Sequence, residues 1–352
     1  MKSSEKLLRR FGSNSPSVAV IGAGIAGITA ATQLTGLARV TVFEKSRGFG
    51  GRMAVRRSGH WQFDHGAQFF TARSPEFRDF ISEFVDSQAV AEWQTKVVTL
   101  LTGRKPFKRE LFEPHYVAIP AMNDLVKQMA SDLDVRLETR VHAIKPTDRG
   151  WSLRDNNDIG LGHFDFVVTA MPAPQCLELL PAGFSGAEQL ESVQLSPCFA
   201  LMLGYEHSIK LNFGAAVLHN SPLAWIAVNA TRPGRGTSTA LLLHSSNEWA
   251  EENLDRPTEE TQQEMLSALQ EFLGEKVSHP DYLELHRWRY ARAEKSLNTE
   301  TIVDVDMGLA ACGDWCLGNR VEDAFLSGLK TAAEIGKSAK FSTAQPLINR
   351  FL

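Results

Sequence analysis

The chain has 352 residues, 43% hydrophobic and 22% charged, which excludes an intrinsically disordered or collagen-like protein. Its 37 basic and 41 acidic residues give a formal charge of -4 without long runs of like charge, so neither nucleic acid nor a membrane is an expected partner. The length predicts about two domains, enough to enclose a large ligand.

Neither the N-terminus nor the cysteines suggest export. Residues 1–16 carry basic side chains without an apolar block, which predicts a flexible tail and leaves a transit peptide as the alternative. The four cysteines, Cys176, Cys198, Cys312 and Cys316, are too few for a disulfide-built fold and fit a reducing cytoplasm. Their spacing lacks the pattern of a zinc site, so no metal is predicted.

In chain order, the first predicted elements form a β-α-β unit. An apolar strand over residues 17–21 precedes a glycine-rich turn at 22–27, a helix at 28–34 and a second strand at 39–43 that ends at Glu44. The unit occupies about 30 residues, the context that the dinucleotide-binding fingerprint requires.

The later elements predict a discontinuous fold. A helical region at 74–92, a strand at 164–170, short strands through 195–288, a strand at 308–312 and a helix at 321–335 follow one another. Because nucleotide-domain pieces recur late, we expect an α/β, Rossmann-like domain (17–75, 118–175 and 300–340). An α+β substrate domain with a mixed sheet (76–117 and 176–299) is interleaved with it.

Each glycine of the first turn has a predicted task. Gly22 permits the tight bend, Gly24 lets the backbone approach a pyrophosphate, and Gly27 lets helix and strand pack closely. The phosphates are expected on the helix N-terminus, and Glu44 is expected to accept hydrogen bonds from an adenosine ribose. The alternative is a tight turn without a ligand.

The loop after Glu44 suggests which dinucleotide binds. Residues 45–53 contain three glycines and two arginines, so bare backbone can contact a second stretch of phosphate. Arg47 and Arg52 are candidate donors to the pyrophosphate or the flavin edge, unless they are exposed loop arginines. This loop resembles that of the amine oxidase superfamily, whose members bind FAD. Gly313 and Asp314 resemble the superfamily's C-terminal motif, in which the acid contacts the pyrophosphate and ribityl region of the flavin.

Within that superfamily the chain resembles the renalases. The similar segments are residues 45–53, 63–73, 286–291 and 312–322, and the likeness extends from about residue 18 to about residue 335. Two positions depart from the family pattern. His65 stands where Leu or Met is common, and Asp323 stands where Gly usually follows Val-Glu, which leaves the shape of the flavin pocket open.

The resemblance implies a p-hydroxybenzoate hydroxylase/amine oxidase-like fold. No upstream Cys motif for covalent attachment is found, so FAD is expected to be noncovalent. The predicted cofactor residues are Gly22, Gly24, Ile25, Ala26, Gly27, Glu44, Lys45, Gly51, Arg52, Met53, Gly66, Ala67, Gln68, Val141, Gly313, Asp314 and Val321.

Renalase resemblance also implies a reaction. Isomeric dihydronicotinamide dinucleotides, 2- or 6-dihydroNAD(P), would be oxidised to NAD(P)+ while dioxygen becomes hydrogen peroxide. Because the sequence has one dinucleotide fingerprint, the nicotinamide must meet the flavin in the second domain's pocket. Hydride transfer needs stacking and orientation rather than an acid or base. The predicted catalytic residues are Gln68, Asn229, His244 and Arg320, and Phe69, Trp225 and Trp288 are candidate pocket aromatics.

Two other functions stay open. An amine oxidase needs an aromatic cage beside the flavin, and Arg320 aligns with a cage tyrosine of the monoamine oxidases, which disfavours a cationic amine. A flavin-binding interaction protein without turnover is the second alternative, because a fold does not secure a function. The sequence distinguishes neither the two isomers nor NAD from NADP.

Overall fold

The computed structural model describes residues 15–341, so all but two residues of the predicted tail lie outside them. The described residues form eight α-helices: α1 Ile25–Leu34, α2 Pro75–Asp86, α3 Met122–Met129, α4 Ala173–Leu179, α5 Ala187–Ser192, α6 Asn247–Glu252, α7 Thr258–Leu273 and α8 Val321–Gly336. The first ten strands are β1 Ser17–Ile21, β2 Arg39–Phe43, β3 Val55–Ser58, β4 Trp61–Asp64, β5 Val90–Glu92, β6 Val97–Leu100, β7 Phe107–Lys108, β8 Tyr116–Ala118, β9 Asp134–Arg136 and β10 Val141–Thr147. The others are β11 Gly150–Asp155, β12 Gly160–Phe164, β13 Phe166–Thr169, β14 Gln194–Tyr205, β15 Ala215–Leu218, β16 Leu223–Val228, β17 Thr239–Ser245, β18 Tyr282–Lys295, β19 Ile302–Asp304 and β20 Leu309–Ala311.

The first large sheet has the strand order β19-β20-β13-β1-β2-β9. Its pairings are parallel except for the edge pair of β19 with β20. All five residues of β1 are buried, as expected for a central strand covered on both faces. Helices α1 and α8 pack against each other beside it, and a Cβ on Gly328 of α8 would collide with the Ala26 carbonyl of α1.

The second large sheet has the order β18-β14-β17-β16-β15-β6-β7. It is antiparallel except where β15 runs parallel to β6. Strand β14 lies between β18 and β17 with nearly every residue buried, and α7 packs on one face of the sheet through Met265 and Leu269. The fold also contains a smaller sheet of β10, β11 and β12. Two antiparallel strand pairs, β3 with β4 and β5 with β8, complete it.

The two sheets draw on different parts of the chain. The strands of the first come from 17–75, 118–175 and 300–340, and those of the second come from 76–117 and 176–299. The chain therefore passes repeatedly from one sheet to the other, which places several crossing segments between them. The domain boundaries themselves stay a prediction.

Local boundaries differ from the sequence prediction in one region. The helix predicted over 74–92 ends at Asp86, and residues 90–92 form β5 instead. Gln88 has a φ of 61°, a left-handed conformation that a helix does not continue through. The isolated segment 90–92 then pairs with β8, a long-range contact that local periodicity does not report.

The four cysteines are free thiols inside the protein. Burial raises the pKa of Cys176 and of Cys198 to about 11, so both thiols are protonated at neutral pH. Among residues 15–341, no helix has the length and apolar character needed to cross a bilayer.

Candidate functional site

A cavity of about 880 Å³ opens between segments of both large sheets. Its walls come from the glycine turn at 22–26, the loop at 44–56, residues 65–67, residues 286–292 of β18 and positions between 313 and 324. These segments are remote in sequence, and the crossings between the two sheets bring them together. The cavity has room for a large ligand, since pockets of about 300–1,000 Å³ are typical of small-molecule and cofactor sites.

The glycine turn presents bare backbone to this cavity. Gly22 has a φ of 112°, and a Cβ there would lie 2.5 Å from the Ala170 carbonyl oxygen. A Cβ on Gly27 would collide with the Gly22 carbonyl oxygen, whereas one on Gly24 would meet nothing within 4 Å. Gly22 and Gly27 therefore serve packing. Gly24, the N-cap of α1, leaves open space in front of the unpaired first amides of the helix.

Glu44, the residue after strand β2, hydrogen-bonds to the glycine turn. It is 7% exposed, and its two carboxylate oxygens accept the backbone N–H groups of Ala23 and Ser46, each at 2.8 Å. A carboxylate has about four acceptor positions, so two remain for ligand hydroxyls on the cavity side. The same side chain thus fixes the turn and is available to a ribose.

A partly buried ion pair joins two of the predicted cofactor motifs. Arg52 donates to both oxygens of Asp314, at 2.8 and 2.5 Å, so the loop after Glu44 is tied to the C-terminal motif. The Arg52 carbonyl also accepts the Ala67 N–H at 2.8 Å, and a Cβ on Gly66 would collide with it. Both side chains line the cavity, where each is predicted to contact the cofactor, and their ion pair also holds three segments of the wall in register.

The start of α8 has an unusual capping arrangement. One Asp323 oxygen accepts the backbone N–H groups of Asn319 and Arg320 at 3.0 and 2.9 Å, and the other accepts a guanidinium N–H of Arg320 at 2.9 Å. A Cβ on Gly318 would lie 2.5 Å from this carboxylate. Asp323 therefore stabilises the loop before the helix and does not line the cavity. Although Asp323 departs from the family pattern, it therefore adds no carboxylate to the cavity wall.

Three histidines gather at the cavity beside an indole. His65 stacks on Trp288 with ring centroids 5.2 Å apart, and His286 meets both rings edge-on. Burial, with smaller contributions from His286 and Arg56, lowers the pKa of His65 to about 3. Burial also lowers the pKa of His244 to about 4 and that of His286 in the same direction. All three are neutral at physiological pH.

Comparisons with known proteins identify the family. A family model described as flavin containing amine oxidoreductase matches residues 102–336, and one for an NAD(P)-binding Rossmann-like domain matches residues 20–84. The first match covers more than half of the chain. The chain belongs to the flavin-containing amine oxidoreductase family. It is an FAD-dependent oxidoreductase.

Individual proteins are also similar to this chain in sequence or in fold. Renalase from Mus musculus is 25% identical over 306 residues, 80% of this chain and 86% of the mouse protein. A candidate protoporphyrinogen oxidase from Exiguobacterium sp. 255-15 has a TM-score of 0.72 at 13% identity and covers 92% of this chain and 99% of its own. Cyclohexylamine oxidase from Brevibacterium oxydans IH-35A has a TM-score of 0.69 at 13% identity, covering 91% of this chain and 98% of its own. The predicted mixed α/β fold and flavoprotein superfamily are confirmed.

The cavity fits FAD, the family's cofactor. The open face of Gly24 lies beside a second bare stretch, because Gly50 donates its N–H to the Ala23 carbonyl at 2.9 Å and Gly51 lies against Gly24. Two glycine-lined backbones and a helix N-terminus on one wall suit a pyrophosphate. These predicted cofactor residues line the cavity: Gly22, Gly24, Ile25, Ala26, Glu44, Lys45, Gly51, Arg52, Met53, Gly66, Ala67, Gly313, Asp314 and Val321.

Three predicted cofactor residues lie elsewhere. Gly27 is packed at the turn, Val141 is buried in the apolar cluster that contains Phe43, and Gln68 lies behind the wall. The Gln68 amide donates to the carbonyls of Asp64 and Gly66 at 2.6 and 2.8 Å. None of the three is among the residues that line the cavity, and their predicted contact with the cofactor stays a prediction.

Two of the four predicted catalytic residues line the cavity and two do not. His244 and Arg320 line the cavity, whereas Gln68 and Asn229 do not. Both of these amides instead accept hydrogen bonds from Arg232, at 2.6 and 2.8 Å. A buried arginine, which sequence reasoning missed, thus donates to the amide oxygens of both residues. Direct substrate contact by Gln68 or Asn229 finds no support in this placement.

Sequence reasoning also missed His65 and His286 as site residues. His286 and Trp288 are two apart on β18, and alternate residues of a strand share a face. That spacing was a usable signal. His65 was noted only as a departure from the family pattern, and its role depends on rings contributed by a different sheet.

Proposed function

We propose that this enzyme oxidises dihydronicotinamide dinucleotides whose extra hydride is at C2 or C6 of the ring, giving NAD(P)+ and hydrogen peroxide. Bound FAD supplies the hydride acceptor, and dioxygen then takes up the electrons. The similarity to mouse renalase supports this assignment, and the charge of the cavity is the observation that carries it.

The cavity is strongly cationic. Its lining has two carboxylates, Glu44 and Asp314, and eight cationic side chains: Lys45, Arg47, Arg52, Arg56, Arg287, Arg289, Arg292 and Arg320. Arg52 pairs with Asp314, and four others reach acids outside the lining. Lys45, Arg47 and Arg287 have no carboxylate at ion-pair distance among residues 15–341.

This excess of positive charge favours an anionic substrate. The pyrophosphate of FAD neutralises part of it, and a second dinucleotide would bring another pyrophosphate. A protonated amine would instead be repelled by the arginines. The same electrostatic argument therefore ranks a dinucleotide above an amine as the substrate.

His244 is suited to bind the substrate's carboxamide. Its Nε2 lies 3.1 Å from the His65 carbonyl oxygen, which can only accept, so Nε2 carries the proton. With the pKa lowered to about 4, the ring is neutral, and Nδ1 keeps a free lone pair. That lone pair can accept an amide N–H. Trp288 donates to the same carbonyl at 2.9 Å, which fixes the indole as a flat wall for a stacked ring.

FAD is proposed to be noncovalent. Cys198 lines the cavity, but its thiol is protonated because burial raises its pKa to about 11, and it donates to the Phe199 and Ser245 carbonyls. A protonated thiol is a poor nucleophile. Acid precipitation should release all of the flavin into the supernatant; flavin that stays with the pellet would overturn this point.

The decisive experiment is anaerobic mixing with partly isomerised NADH while flavin absorbance is followed, then admission of air and assay of peroxide. We expect rapid bleaching by the isomers, little by ordinary NADH, and recovery of colour with peroxide. Bleaching by ordinary NADH alone would refute the assignment. Bleaching by simple amines alone would make the protein an amine oxidase, and no bleaching by any donor would make it a flavin-binding module.

A variant pair tests the site within this reaction. His244→Phe keeps a ring but removes the acceptor, and we expect the KM for the isomers to rise about tenfold or more. His163→Phe, on exposed strand β12, is the matched control and should behave as wild type. An unchanged KM in His244→Phe would remove this residue from substrate binding.

A further inference from the structure

A buried cation lies directly behind the cavity wall. Arg232 is 2% exposed, and its guanidinium donates to the side-chain oxygens of Asn229 and Gln68 at 2.8 and 2.6 Å. The guanidinium also lies over the ring of Trp93, 4.5 Å from its centroid. Its Nε has no hydrogen-bond partner among residues 15–341. No carboxylate of the described residues pairs with it.

A neighbouring arginine, Arg235, is paired with the carboxylate of Asp64. Asp64 binds the Arg235 guanidinium through two N–H groups at 2.7 and 3.0 Å, and both side chains are fully buried. Its other oxygen accepts the Met122 N–H at 2.9 Å. Asp64 therefore compensates Arg235 alone, and the charges of Arg232, Arg235 and Asp64 sum to +1. Burial lowers the pKa of Arg232 to about 10, so it remains charged at neutral pH.

The charge is connected to the wall through one side chain. The Gln68 oxygen accepts from Arg232 and, at 3.3 Å, from the indole N–H of Trp225, and its amide donates to the Gly66 carbonyl. Trp225 and Gly66 both line the cavity. Polarisation of the Gln68 amide by the cation strengthens the hydrogen bond that its N–H group donates to the Gly66 carbonyl. An uncompensated charge is costly to bury, so its retention here points to a role.

We propose that Arg232 is a positioning residue whose unpaired positive charge, acting through Gln68, favours negative charge at the Gly66–Trp225 end of the cavity and so favours reduced over oxidised flavin. The inference depends on the FAD site and not on the identity of the substrate. A purely structural arginine would need its hydrogen bonds but not its charge.

Three variants separate charge from packing. Arg232→Met removes the charge, Arg232→Lys keeps it, and Asn229→Asp leaves the arginine in place but sets a carboxylate against it. The flavin of each purified holoenzyme is titrated with sulfite, which adds to oxidised flavin and leaves negative charge on it, and the two-electron reduction potential is measured.

We expect sulfite affinity to fall on the order of tenfold in both Arg232→Met and Asn229→Asp, because each change removes or neutralises one unit of positive charge in surroundings with an effective dielectric constant of about 20. A tenfold shift of the redox equilibrium corresponds to about 30 mV for a two-electron couple. Arg232→Lys should stay near wild type.

Equal sulfite affinity and potential in wild type and Asn229→Asp would overturn the proposal. Asn229→Asp conserves side-chain volume, so the test stands even if Arg232→Met does not fold. Neither measurement uses a nicotinamide, so failure of the substrate assignment would not affect it.

Discussion

Gly24 and Gly27 are three residues apart in one motif, yet their replacement by alanine should affect different properties. Gly27→Ala should lower the free energy of unfolding, and Gly24→Ala should lower the affinity for FAD. In Gly27→Ala the new Cβ would lie well inside 3.0 Å of the Gly22 carbonyl oxygen. Relief requires the helix to move from the strand turn by about 1 Å, and such overpacking costs about 1–3 kcal/mol. We expect the free energy of unfolding to fall by at least that amount.

Gly24→Ala meets no such obstacle. Gly24 has φ -76° and ψ 173°, which alanine adopts readily, and no atom lies within 4 Å of the added Cβ. Lower chain entropy in the unfolded state stabilises by about 0.4–1 kcal/mol, and a poorer N-cap offsets a similar amount. The stability of the apoprotein should therefore change by less than about 1 kcal/mol.

The affinity for FAD should fall in Gly24→Ala, although the stability of the apoprotein hardly changes. The methyl group of Gly24→Ala occupies the space where the pyrophosphate approaches the backbone, so we expect FAD affinity to fall about a hundredfold, the effect of losing roughly two hydrogen bonds to a charged group. Urea unfolding of the apoprotein and fluorescence titration with FAD measure the two quantities separately. Wild-type FAD affinity in Gly24→Ala would refute the placement of the pyrophosphate at this turn.

Two further predictions concern the buried charges and histidines. Asp314→Asn breaks the ion pair with Arg52 and should weaken FAD retention and lower the free energy of unfolding by about 1–3 kcal/mol. The control Asp158→Asn, in an exposed pair with Arg154, should lower it by at most about 1 kcal/mol. Full flavin occupancy in Asp314→Asn would count against the role of Asp314. His65 has a folded pKa of about 3, below its unfolded value, so its stability contribution is complete above pH 6.5 and is lost as pH falls. Between pH 7.5 and 5, wild type should lose about 2 kcal/mol more than His65→Leu in urea unfolding, and equal losses would show that the ring titrates normally.

The nucleotide-binding half of the protein could be predicted largely from sequence. The turn at Gly22, the acid at Glu44 and the helix beginning at Val321 are local features, in which residue type and spacing dictate backbone geometry. The structure brings Gly22, Glu44 and Val321 to one cavity.

The partners of the charged residues could not be predicted. Arg52 and Asp314 are 262 positions apart, and Arg232 meets Gln68 across 164 positions. Arginine in a loop looks the same in sequence whether it contacts a ligand, a carboxylate or solvent. For this reason Gln68 and Asn229 were predicted to face the substrate, although both serve a buried cation.

The amino-acid sequence alone determined the β-α-β unit and the need for glycine at the first turn, because both follow from short-range sterics and hydrogen bonding. The flavoprotein superfamily was recognised from the resemblance of its motifs to those of known members. Only the tertiary structure decided which charges are compensated and which rings meet at the cavity. Electrostatic energy and stacking depend on distances between segments that the chain brings together by crossing between two sheets, and no local pattern encodes those distances.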